Sequence, residues 1–261
     1  MTDERLRQTF NEDAERYQRA RPGYPAALFA DLQSLAGIGH GSRVLEIGCG
    51  TGQATEPLAR LGCEIVALDL GPAMATLARR RLARFAGVEV VTASFEDWSL
   101  PPDGFDAVLS ATAWHWVRPE VRVVKSAQAL RSGGALAVIS THHVAGGTDD
   151  FFLDVQECYE RWDPETPPGF RLPKADAVPT GAEEIEDSQS FATPAIRHYE
   201  RELLYSATGY VDVLLTYSGH RAMDPFNRQA LLDCIAALIE TRYGGWIRKR
   251  YLTQLLISRR V

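Results

Sequence analysis

Short apolar runs alternate with stretches whose apolar positions recur every three or four residues across much of the first half of the chain. The runs are Val44-Leu45-Glu46-Ile47, Ile65-Val66-Ala67-Leu68, residues 88–91, Ala107-Val108-Leu109 and residues 135–139. Helical spacing separates them at residues 55–61, 73–85 and about 120–130. Nearly continuous apolar strands between helices predict an α/β fold, a doubly wound and mostly parallel sheet covered on both faces. Such a sheet binds its ligand beyond the carboxyl ends of the strands, close to where strand order reverses.

The flanking segments follow other rhythms. Residues 6–17 are polar with sparse apolar positions, the pattern of a helix that covers rather than fills, and Pro22 and Pro25 end it. Leu28, Phe29, Leu32 and Leu35 then mark an amphipathic helix. Residues 142–193 are proline-rich with an acidic patch at Glu183-Glu184-Ile185-Glu186-Asp187. They read as an irregular helical cap inserted after a strand's carboxyl end, hence over the ligand crevice. Residues 196–205 alternate weakly as a strand does, residues 231–239 are helical, and residues 251–258 form a final strand after Gly244-Gly245. The whole is expected to be one domain: N-terminal helices or lid (1–35), core (36–141), cap (142–195) and completing strands and helices (196–261).

Composition narrows the partners. The 28 Lys and Arg against 34 Asp and Glu leave a formal charge of -6, so no overall positive field attracts a polyanion, and nucleic acid is not expected as substrate. Arg248, Lys249, Arg250, Arg259 and Arg260 make the C-terminal stretch locally basic. Around an apolar run, that reads as a solvated edge strand. Cys49, Cys63, Cys158 and Cys234 lack the spacing of a metal or redox pair, so reduced thiols and a cytoplasmic location are expected. The start, Met1-Thr2-Asp3-Glu4-Arg5, lacks a signal peptide's basic and apolar regions, and no apolar stretch is long enough to span a membrane.

The most informative segment is Glu46-Ile47-Gly48-Cys49-Gly50-Thr51-Gly52, a glycine-rich turn between a strand and a helix. Glycines belong where backbone bends sharply and approaches a ligand without interference from Cβ. The third glycine arrives one residue earlier than in a dinucleotide-binding turn, which favours a ligand without a pyrophosphate. Glu46 agrees, because a carboxylate there repels phosphates and attracts a cation. Asp69 closes the second strand, where its two oxygens suit the ribose hydroxyls; its alternative role is to cap the helix starting near Pro72.

With these residues in place the chain resembles the class I S-adenosylmethionine-dependent methyltransferases, without a gap from residue 44 to about 139. The resemblance implies a seven-stranded, Rossmann-like methyltransferase fold with S-adenosylmethionine as cofactor. It implies that Glu46, Gly48, Cys49, Gly50 and Gly52 wrap the methionine end, that Asp69 with Leu70 meets the ribose, and that Met74 packs on the adenine. Ala93-Ser94-Phe95-Glu96-Asp97 is similar to the family's adenine-binding stretch, with Ser94 where an aspartate is common and Phe95 offering its backbone N–H. Ala111 then supplies a carbonyl for the cofactor's ammonium. The segment from Tyr17 through Arg21 to Tyr24-Pro25 resembles that of small-molecule members such as trans-aconitate methyltransferases. There it implies that Tyr17 lies over the cofactor.

The expected partner is a small-molecule methyl acceptor with an oxygen, nitrogen or carbon nucleophile, a carboxylate among the options. Tyr17 and Arg21 are candidates for a closing lid, or else pack on the domain. Trp114 and His115, in Trp114-His115-Trp116 just past the fourth strand, offer an apolar wall and a titratable group. His115 is the candidate catalytic base, with hydrogen-bonded packing as its alternative. His142-His143 end the fifth strand, and alternation lets at most one face the site, His142 being the candidate. Tyr217 belongs to a second cap element, and Arg21 or Arg221 suits an acceptor carboxylate. No carboxylate stands at ligand spacing from these histidines, so no metal is expected. Two rivals share the scaffold, a nicotinamide-dependent oxidoreductase and a catalytically silent cofactor-binding regulator.

Overall fold

A computed structural model describes residues 13–261. In chain order the elements are α1 (Ala14–Ala20), α2 (Ala26–Ala36), β1 (Arg43–Ile47), α3 (Thr55–Arg60), β2 (Glu64–Asp69), α4 (Pro72–Leu82), β3 (Val88–Thr92), β4 (Phe105–Ala111), α5 (Pro119–Ala129) and β5 (Leu130–Gly147). There follow α6 (Asp149–Asp154), α7 (Gln156–Trp162), α8 (Glu183–Glu186), β6 (Ala195–Ser206), α9 (Ala207–Leu214), α10 (Ser218–Ala222), α11 (Pro225–Arg242) and β7 (Trp246–Arg259). Of the N-terminal helix expected over residues 6–17, residues 6–12 lie outside the described part; α1 carries the rest past Tyr17 to Ala20.

The strands form one seven-stranded sheet in the order β3-β2-β1-β4-β5-β7-β6. Pairs β1/β2, β2/β3, β1/β4 and β4/β5 are parallel. From β1 the chain steps outward to β2 and β3, then returns to the opposite side of β1 with β4. Strand order therefore reverses between β1 and β4, and a ligand crevice opens at their carboxyl ends.

The chain divides into two compact units. A sheet unit comprises Pro22–Thr141, Pro179–Tyr199 and Thr253–Val261, and a helical unit comprises the chain through Arg21 with His142–Val178 and Glu200–Leu252. In the sheet unit, alternation along the strands feeds two cores. Val44, Ile65, Leu109 and Ile139 pack beneath α2, α3 and α4, while Leu45, Ile47, Val108 and Leu136 pack beneath α5 with Ile185 and Phe191. The helical unit has its own core, in which Phe151, Tyr210, Leu231, Ile235 and Ile247 are buried. Its long helix α11 begins at Pro225, where Asp224 accepts from the Phe226 and Asn227 N–H groups and Pro225 has no N–H to leave unpaired.

Three expectations are corrected. The basic C-terminal strand is no solvated edge: β7 lies between β5 and β6, and Ile247, Lys249, Tyr251 and Leu255 are all buried. Strand β5 runs through His142 and His143 to Gly147, so the insertion begins as strand and turns helical only at Asp149. The four thiols are not all reduced: Cys158 on α7 and Cys234 on α11 form a disulfide, while Cys49 and Cys63 are free and buried. Sequence spacing could not show this pair, because α7 and α11 meet only in the folded unit. No helix of the described residues is long and apolar enough to cross a membrane.

Candidate functional site

In the sheet unit, β1 delivers Glu46 to the start of the glycine turn with only 1% of its surface exposed. Gly48 follows with φ +69°, and a Cβ built there would lie 2.4 Å from the Ala113 Cβ. Only glycine lets the β1 turn and the loop after β4 come so close. The turn is braced from β2: Cys49 N–H donates to the Leu68 carbonyl at 2.9 Å, and Gly50 N–H donates to Asp69 Oδ2 at 2.8 Å. Asp69 Oδ1 accepts from Gly71 N–H at 2.8 Å. Gly71 is the N-cap residue of α4, which has no side-chain cap, so Asp69 ties two turns together rather than capping the helix. A carboxylate oxygen accepts more than one hydrogen bond, so Asp69 retains lone pairs for a ligand's hydroxyls.

Burial pushes the Glu46 carboxyl up to about 8, opposed by the Thr55 hydroxyl and reinforced by the negative charge of Asp69. Glu46 Oε2 is buried without a hydrogen-bond partner. An orphaned buried acceptor is costly, and a cationic donor group from a ligand would relieve it.

The other cofactor candidates lie in the same unit. Leu70 is 36% exposed just past β2, whereas Met74, on the first turn of α4, is buried. Ser94 Oγ donates to Asp97 Oδ2 at 2.7 Å and accepts the Asp97 N–H, closing a turn after β3. Phe95 is buried, with the Lys125 ammonium 5.4 Å from its ring centre while donating to the Glu96 and Trp98 carbonyls.

The end of β4 holds a feature that sequence reasoning missed. Thr112 has φ +56°, a conformation rarely adopted by a β-branched residue and costing about 1–3 kcal/mol. It is held there by donating its N–H to the Ile139 carbonyl at 2.7 Å and its hydroxyl to the Ala111 carbonyl at 2.7 Å. The Tyr24 hydroxyl bonds the same Thr112 oxygen at 2.9 Å. Tyr24 closes the N-terminal segment singled out above, which was the one available signal. The Ala111 carbonyl, expected to face a ligand ammonium, thus already accepts one hydrogen bond.

The Trp114–Trp116 segment is a short 3-10 helix. Trp114 enters the core beneath α5, its indole N–H donating to Glu184, which also pairs with Arg122 at 2.6 Å. His115 is exposed, its ring 4.6 Å from that of Trp116.

In the helical unit, Arg21 stands beside the lid candidate Tyr17 and the acceptor candidate Tyr217. Its guanidinium lies 5.4 Å from the Tyr17 ring centre and 4.6 Å from that of Tyr217. Tyr217 and His143 line a cavity of about 750 Å3 within this unit, their rings 4.9 Å apart. Of the adjacent histidines, His143, and not the candidate His142, lines this cavity. At its wall His220 Nε2 bonds the Tyr159 hydroxyl at 2.9 Å, and burial pushes His220 down to about 4. Among the described residues no cluster of three His, Cys, Asp or Glu is placed to hold a metal.

Residues 45–138 match the family model described as "Methyltransferase domain". The strand order, the glycine turn and Asp69 all lie within or beside that matched segment. Among curated relatives, an uncharacterized methyltransferase of Mycobacterium tuberculosis (strain H37Rv) is 34% identical over 131 residues, 50% of this chain and 51% of that protein. Trans-aconitate 2-methyltransferase of Mycobacterium tuberculosis (strain H37Ra) is 38% identical over 97 residues, 36% of this chain and 35% of the relative. The chain thus spans about half the length of the first relative and about a third of the second. A solved structure of a putative type II methyltransferase from Anaeromyxobacter dehalogenans shares the fold, with a TM-score of 0.61, 24% identity, and coverage of 92% of this chain and 97% of that one.

Proposed function

We propose that this chain catalyses S-adenosylmethionine-dependent methyl transfer to a small-molecule acceptor. The observation that carries the reading is the buried, unpartnered Glu46 oxygen beside a glycine turn pinned to Asp69. An ammonium brought there pairs with the ionised carboxylate, whereas a pyrophosphate gains nothing from a buried carboxyl, which disfavours the nicotinamide-dependent oxidoreductase. When bound, S-adenosylmethionine supplies an electrophilic methyl group on a sulfonium.

In this reading Glu46 and the Ala111 carbonyl receive the amino-acid end, with the backbone of Gly48, Cys49, Gly50 and Gly52 shaping its bed. Asp69 orients the ribose hydroxyls, with Leu70 beside it. Met74, Ser94 and the Phe95 N–H bound the adenine. Their fixed positions supply orientation, and alignment of reactants accounts for much of the rate gain in such transfers. In the helical unit Tyr17 and Arg21 are the candidates for a lid and His142 and Tyr217 for acceptor contacts, and in the sheet unit Trp114 is a further acceptor candidate. His115 removes a proton where the acceptor must lose one; a carboxylate acceptor needs no base.

The test measures binding and turnover together. Wild-type protein is expected to bind S-adenosylmethionine but not NAD, and to form S-adenosylhomocysteine with a member of an acceptor panel. Asp69→Ala is expected to lower cofactor affinity by about 2 kcal/mol, the scale of hydrogen bonds to a charged group. NAD binding, or undiminished affinity in Asp69→Ala, would sink the assignment. Cofactor binding with no transfer to any acceptor would favour the silent regulator.

A further inference from the structure

Lys249 is the fourth residue of β7 with 3% of its surface exposed, yet it lines the cavity of the helical unit. Its ammonium lies 5.2, 5.3 and 5.8 Å from the ring centres of Phe152, Tyr210 and Tyr251. Its hydrogen-bond acceptor is the neutral Tyr210 hydroxyl at 3.3 Å. Among the described residues no carboxylate pairs with it, and burial alone pushes its pKa down to about 7. An ammonium removed from water without a counter-charge is among the most costly groups to bury.

The rest of the lining says what would supply that charge. Among the described residues Lys249 is the only lysine or arginine lining the cavity. Of the acidic lining residues, Asp163 accepts the Thr166 hydroxyl at 2.8 Å, Asp224 caps α11, and Glu165 is exposed. Gln156, 9% exposed, donates to the Phe152 carbonyl at 3.1 Å and leaves its Oε1 buried and unpartnered. Trp162, Leu172, Leu214 and Met223 supply apolar wall. The volume, about 750 Å3, falls in the range of small-molecule sites.

We propose that this cavity is a binding site for a small organic carboxylate with an apolar body, its anionic head on Lys249 and its body along Trp162, Leu172, Leu214 and Met223. A single compact cation matches one carboxylate and falls short of a phosphate dianion, which calls for several cations or a guanidinium fork. The site lies within the helical unit and shares Tyr217 with the acceptor candidates, but carboxylate binding there is measurable without methyl transfer.

Calorimetric titration of the whole chain with butyrate, octanoate and phenylacetate, and with octanamide as a neutral-headed control, tests the proposal. At least one carboxylate is expected to bind, octanoate at least about tenfold more tightly than octanamide. Lys249→Met, close in length and without charge, is expected to abolish that preference and to leave S-adenosylhomocysteine affinity unchanged. Equal binding of octanoate and octanamide by the wild type overturns the proposal even if the variant fails to fold. So does a failure of all three carboxylates to bind, or a preference that survives in Lys249→Met. Carboxylate binding without S-adenosylhomocysteine binding would refute the cofactor assignment and leave this site standing.

Discussion

At Gly48 one methyl group separates a working turn from a blocked one. An alanine there would combine a positive φ with a Cβ 2.4 Å from that of Ala113. Gly48→Ala is expected to cost about 2–5 kcal/mol through left-handed strain and displacement of the β4 loop. Thermal unfolding and S-adenosylhomocysteine titration should both register the change, and an unaltered melting temperature would contradict this geometry. Glu46, the glycines and Asp69 were legible because their spacing is local: strand, turn, helix and next strand follow directly in the chain. Thr112 was not legible, because two of the contacts that hold it, to Ile139 and Tyr24, come from far away in sequence. Lys249 was misread for a related reason. Beside Arg248 and Arg250 it looks like one of a solvated basic trio, and only the strand's neighbours reveal that it faces inward.

Among the elements, β1 to β4 and their helices followed from apolar runs and helical periodicity, because strands covered on both faces must be apolar throughout. β5 and β7 were harder. The later part of β5 carries Thr141, His142 and His143, whose side chains do not advertise a strand, and the basic residues of β7 suggested an edge until β6 was found to lie outside it. The covalent tie between α7 and α11 is the element-scale feature with the largest expected effect. It closes a loop with a sequence separation of 76, for which loop-closure entropy predicts about 4.5 kcal/mol. Cys158→Ser with Cys234→Ser is expected to lower stability by about 2–4 kcal/mol, and a reductant to lower the wild-type melting temperature in the same direction. Equal melting temperatures with and without reductant would show that the link contributes nothing.

For the whole molecule, two buried titratable groups set opposite pH trends. Lys249 titrates at about 7 when folded, against an ordinary value of 10.5. Between those values the unfolded chain holds a proton that the folded one lacks, so this group's contribution to stability rises with pH, by at most about 1.4 kcal/mol per unit. Around it His143 and His220 are pushed down and stay neutral in that window, while Tyr159, Tyr210, Tyr217 and Tyr251 are pushed up and stay protonated. Denaturant titrations across the window should give a stability that climbs more steeply with pH in the wild type than in Lys249→Met, and parallel curves would contradict the burial of a charge-bearing group. Glu46 runs the other way, titrating at about 8 when folded against 4.5 ordinarily. Between these values the folded protein holds the extra proton, so its contribution to stability declines as pH rises.

The same proton gives access to the cofactor assignment. If the Glu46 carboxyl receives the cofactor's ammonium, binding favours its ionised form and expels the proton. Calorimetric titration of S-adenosylmethionine into the protein at about pH 6, between the two values for Glu46, in buffers of different ionisation enthalpy, measures that release directly. The expected result is binding with proton release in the wild type and binding without it in Glu46→Gln. Proton-neutral binding by the wild type, or no binding of S-adenosylmethionine at all, would contradict the assignment.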